Sequence, residues 1–77
     1  MNLYIIYQKE RNGYDTYDSA VVAADSCQEA VNIHPSVYCS WDSDTWASCP
    51  ENVSVEYLGI AKEGTKKGVV LASFNAG

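Results

Sequence analysis

Residues 2 to 8, NLYIIYQ, carry large aliphatic and aromatic side chains at nearly every position, the make-up of a β-strand. Leu3, Ile5 and Tyr7 fall on one face and Tyr4 and Ile6 on the other. Apolar residues on both faces predict a central strand, or one covered on both sides. KERNG follows, and its Asn12-Gly13 pair signals a turn. Residues 17 to 24, YDSAVVAA, predict a second strand whose small side chains let a helix approach the sheet closely.

A helix start comes next. Ser26 and Glu29 have the capping-box spacing, in which the serine oxygen takes a free backbone amide and the glutamate reaches back. Asp25 and Glu29 also suit the positive end of the helix dipole. Cys27, Ala30, Val31 and His34 share one helical face, so Cys27 is expected to pack beneath the helix. Pro35 ends it, leaving about two turns that depend on packing.

Residues 36 to 52, SVYCSWDSDTWASCPEN, have no clear period; VYCSW is a candidate short strand and DSD a turn. VSVEYLGIA then alternates, with Val53, Val55 and Tyr57 on one face. Leu58 and Ile60 reverse the pattern, which marks Gly59 as a bulge position. KEGTKKG reads as a hairpin loop and VVLASF as the closing strand. The expected fold is a single small α+β domain over residues 1 to 77. Its order is β-β-α-(β)-β-β: an antiparallel or mixed sheet of about four or five strands with one short helix on a face.

Composition narrows the function classes. Apolar residues make up 47% and charged residues 19% of the 77, so the chain is expected to fold rather than remain disordered. At this size only about 60% of the unfolded chain's surface is buried, and self-association would add stability. AVVAA, residues 20 to 24, is far too short to span a membrane, and MNLYIIYQKE lacks the layout of a signal peptide. The expected location is the cytoplasm, with no membrane partner. Three cysteines, Cys27, Cys39 and Cys49, do not make a closed disulfide framework. With His34 as the single histidine and no Cys-x-x-Cys pair, neither a metal site nor another cofactor is expected.

The net charge is −5, and no lysine or arginine occurs between residues 12 and 61. Such a body disfavours DNA and RNA, whose phosphates need clustered cations, and favours a basic protein surface. The expected partner-binding residues are Tyr14, Asp15, Tyr17, Asp18, Trp41, Asp42, Asp44 and Trp46, because ring faces beside carboxylates suit protein recognition. The plainer alternative has the aspartates capping turn amides, the tyrosines covering the sheet edge and a tryptophan filling the core. A second candidate set, Arg11, Tyr14, Tyr17, Lys66 and Lys67, would stack a base and hold phosphate if the first and last turns met at one end of the sheet. No catalytic residues are expected: His34 has no evident nucleophile, and paired aspartates are common in loops.

GYDTYDSAVVAA, the short helix ending IHP, VEYLGIA and the terminal GVVLASFNAG together resemble a group of small proteins encoded by bacteriophages and prophages. The resemblance spans most of the chain apart from residues 36 to 52. The group carries no agreed activity, so no catalytic residue is transferred. It implies an accessory protein in the host cytoplasm that acts without catalysis, inhibiting a host defence protein by direct binding. Sequestering a nucleotide-derived immune signal, of cyclic nucleotide or ADP-ribose type, is the alternative, and a structural or regulatory phage role is the third.

Overall fold

A computed structural model of the chain describes residues 1–10, 13–36, 41 and 43–75. β1, Asn2–Tyr7, is a central strand, and β2, Thr16–Ala24, pairs with it antiparallel. β3, Ser54–Ile60, flanks β1, and β4, Gly68–Asn75, flanks β2. The sheet order is β3-β1-β2-β4, and every pairing is antiparallel. The fold is thus a small α+β fold. The fifth strand expected around VYCSW falls largely on residues 37–40, outside the described residues.

The core lies on one side of the sheet only. Tyr4 and Ile6 of β1 meet Ala20, Val22 and Ala24 of β2, with Val55, Val69 and Ala72 at the margins. Against this face pack Ala30, Val31, Ile33, Trp41, Trp46 and Ala47. Alanines on β2 leave room for these large groups, so the expected close approach of the second layer is what the small side chains permit. Trp46 is the largest fully buried side chain. The Trp41 indole N–H donates to the Ala47 carbonyl at 2.7 Å, which pins the loop across the sheet.

The helix α1, Cys27–Val31, is shorter than expected. Its start is as read: the Ser26 hydroxyl oxygen accepts from the Glu29 amide at 3.2 Å, and Glu29 reaches back to the Asp25 amide at 3.4 Å. Lys67 bridges the same carboxylate at 3.0 Å. That ammonium first, and the Asp25 amide second, hold the Glu29 carboxyl below its ordinary pKa. Ala30 is buried, but Cys27 is exposed; so short a helix turns its first residue to solvent instead of under itself.

One further expectation changes. KEGTKKG is not a hairpin loop, because β3 and β4 occupy opposite edges of the sheet. The segment crosses from one edge to the other through a turn in which Thr65 donates to the Lys62 carbonyl at 3.0 Å. Gly64 supplies the positive φ of 90° that such a turn needs at its third position. Of the two alternatives for β1, the structure shows the central strand: Leu3, Ile5 and Tyr7 on its other face are partly buried and lie outside the core cluster. The bulge read at Gly59 does appear, as a register shift opposite Leu3 and Tyr4. It turns Leu58 and Ile60 outward.

Candidate recognition surface

Strand direction decides which loops meet. β1 ends and β2 begins at the same end of the sheet as the start of β3 and the finish of β4, since Tyr7 lies opposite Ser54 and Thr16 opposite Asn75. The turn into β2 therefore sits there. Asn12 of the expected turn signal lies outside the described residues; the tight bend comes at Tyr14 and Asp15, with Asp15 at φ 60°. Aspartate is among the few residues that tolerate this left-handed conformation.

Several bonds hold the bend rigid. The buried Thr16 hydroxyl donates to the Gly13 carbonyl at 2.7 Å. The Asp15 amide donates to the Asn75 carbonyl. The Asn75 side-chain amide donates to the Asp18 carboxylate at 2.6 Å. Tyr17 is fastened on both backbone groups: its amide donates to the Thr45 carbonyl at 2.8 Å, and its carbonyl accepts from the Gln8 side chain at 2.9 Å. These bonds replace the strand partner missing beyond the end of β1.

Tyr14 is raised above this frame and is 80% exposed, with the exposed Asp15 and Asp18 beside it. Asp44 is exposed in the turn that delivers Thr45 to Tyr17. Tyr17 is half-buried, its ring 4.8 Å from Phe74 and 6.5 Å from His34. His34 packs edge-on against Trp41 at 5.1 Å, and its Nδ1 accepts from the Ser36 amide at 3.0 Å. The histidine thus belongs to a ring cluster beneath the surface.

The expected partner-binding residues therefore divide. Tyr14, Asp15, Asp18 and Asp44 are displayed, and Tyr17 and Trp41 support them from below. Trp46 is a correction: it is wholly buried in the core and offers nothing to a partner. Asp42 lies outside the described residues. Phe74 was not marked by the sequence. Its place in VVLASF reads as ordinary strand alternation, and only the pairing of Tyr17 with Phe74 brings it to this end.

The alternative phosphate-holding set is not assembled. Lys66 and Lys67 precede β4, so they lie at the end of the sheet opposite Tyr14 and Tyr17, and Lys67 is engaged by Glu29. Arg11 lies outside the described residues. Charge follows the same division. Glu10, Asp15, Asp18, Asp44 and Glu51 share the Tyr14 end with Lys9, whereas Lys62, Lys66 and Lys67 gather at the other end with Asp25, Glu29 and Glu63. Among the described residues, no group of three or more His, Cys, Asp or Glu side chains lies close enough to hold a metal ion. Among the described residues, no helix is long and apolar enough to cross a membrane. In comparisons with known proteins, no family model, no curated protein and no solved structure matches the chain.

Proposed function

We propose that the chain is a noncatalytic binding protein whose acidic, tyrosine-bearing end docks on a basic partner surface. In the setting implied by its resemblance to small phage proteins, that partner is a host defence protein, which the chain inhibits by occupying it. One observation carries the reading: Tyr14, 80% exposed, stands on a bend fixed by backbone and side-chain hydrogen bonds, with Asp15 and Asp18 beside it. A ring already held in place loses little freedom on binding. Tyrosine is among the residues that dominate interface energies, and the carboxylates steer a cationic partner into contact.

The test is a plating assay in bacteria that carry phage-defence systems and express the chain. Wild type is expected to raise plating of a restricted phage. Tyr14→Ala combined with Asp18→Lys, at equal expression and with unchanged circular dichroism, is expected to lose that effect. A double variant as potent as wild type would remove this end of the molecule from the interaction.

A further inference from the structure

We infer that the sheet face turned away from the core is a docking trough for an amphipathic helix of a partner, with a lysine or arginine of that helix set against Glu56. Strand register fixes what this face carries. Side chains directly opposite each other on paired strands share a face. Ile5 therefore has Glu56, Val21 and Leu71 in its row, and Tyr7 has Ser54, Ser19 and Ser73. Leu3 lies opposite Ala23, and each register shift adds a side chain to this face. Leu58 follows Tyr57, whose ring meets Tyr4 of the core, and Val70 follows Val69, which packs on the core. The relief is that of a trough. Its floor on β1 and β2 is low: Leu3, Ile5 and Val21 are partly buried and Ala23 is fully buried. Its walls stand on the edge strands, where Leu58, Val70 and Leu71 are 52%, 54% and 69% exposed. β3 and β4 are three strand spacings apart, about 14 Å at ~4.8 Å each, which admits a helix ~10–12 Å across. A hollow of about 290 Å³ beside Ser19, Val21, Leu71 and Ser73 takes a side chain of that helix.

Charge selects a cationic partner over a second copy. Among the residues of the four strands, Asp18 and Glu56 alone are charged, and both are acidic. Glu56 stands in the row of Ile5, Val21 and Leu71, and the Tyr7 hydroxyl donates to its carboxylate at 3.5 Å. The lysines lie outside the strands, among acids: Lys9 precedes Glu10, and Lys62, Lys66 and Lys67 share their end with Asp25, Glu29 and Glu63. Two copies laid face to face would bring strand carboxylates together with no strand cation to meet them. Each Glu56 would then lose water without gaining a partner, which is costly. A helix with an apolar stripe flanked by lysine or arginine covers Ile5, Val21 and Leu71 and supplies the missing cation. The inference concerns a face other than the Tyr14 end and does not rest on the function proposed above.

An amide NMR titration provides the test. The probe is a synthetic amphipathic helix of leucine and lysine, about 14 residues and so ~20 Å long, with a leucine–glutamate helix as its counterpart. The leucine–lysine helix is expected to shift the amides of Ile5, Val21 and Leu71 saturably and to leave those of α1 in place. The leucine–glutamate helix is expected to bind about threefold more weakly, or less well still. Leu71→Lys, at an exposed position, is expected to abolish binding with circular dichroism unchanged. Glu56→Gln is expected to raise the Kd about threefold or more. Tyr14→Ala is expected to bind as wild type does, which separates this face from the Tyr14 end. The inference is overturned by the absence of saturable shifts, by shifts confined to the Tyr14 end or α1, or by equal binding of the two helices. It is equally overturned if Leu71→Lys or Glu56→Gln binds as wild type does, or if Tyr14→Ala loses binding. Shifts of the same amides with protein concentration alone would make a second copy the occupant and overturn it too.

Discussion

At Trp46 the indole is fully enclosed, and its N–H has no hydrogen-bond partner among the described residues. Truncating it to alanine removes the largest buried side chain and leaves a void, which costs about 3–5 kcal/mol. That is a large share of the ~5–15 kcal/mol by which domains are stable. Trp46→Phe should cost less, because it keeps a ring and removes a donor that gains nothing. Tyr14→Ala, at an exposed position, should change stability by no more than about 0.5 kcal/mol. Urea unfolding of the three variants checks the assignment, and equal losses at positions 14 and 46 would contradict it. Local sequence did not distinguish the two: both are aromatic and stand near aspartates in irregular stretches. Tyr14 rises from a bend at the sheet's end, whereas the Trp41–Ala47 bond folds Trp46 back over β1 and β2.

At the scale of the element, the start of α1 was readable because capping is a matter of three-residue spacing. Ser26→Ala should cost about 1 kcal/mol, measured as a lower urea midpoint at unchanged slope. Glu29 adds a pH dependence. Its carboxyl sits below the ordinary pKa, first through Lys67 and then through the Asp25 amide. The unfolded chain therefore binds more protons there, so this contribution is complete above the unfolded carboxyl's pKa and is lost as pH falls through the lowered folded value. Glu29→Gln retains the reach-back but not the charge. The stability difference between wild type and Glu29→Gln should shrink between about pH 6 and about pH 3, and should shrink in salt as well, since the pair is exposed. A difference flat across that range would exclude the ion pair as its source. The four strands were legible for the same local reason as the cap, as runs of strand-forming residues, and Gly59 marked its bulge by a reversal of alternation. The length of α1 was not legible, because a helix this short takes its extent from what it packs on.

For the whole molecule, the pairing of strands decided what could be near what. Because β3 runs antiparallel to β1, residues 61 to 67 lie at the end of the sheet away from Tyr14 and Tyr17, which separates Lys66 and Lys67 from those rings. By itself the sequence determined the small α+β class, the strand segments, the helix cap, the Gly59 bulge and the negative charge, because each depends on neighbours a few residues apart or on composition alone. Only the tertiary structure decided that the core lies on one side of the sheet, that Trp46 is core while Tyr14 is displayed, and that Lys66 and Lys67 stand at the end away from Tyr14 and Tyr17. Those outcomes depend on contacts between distant segments, and the order in which strands pair is set by the packing of the whole chain.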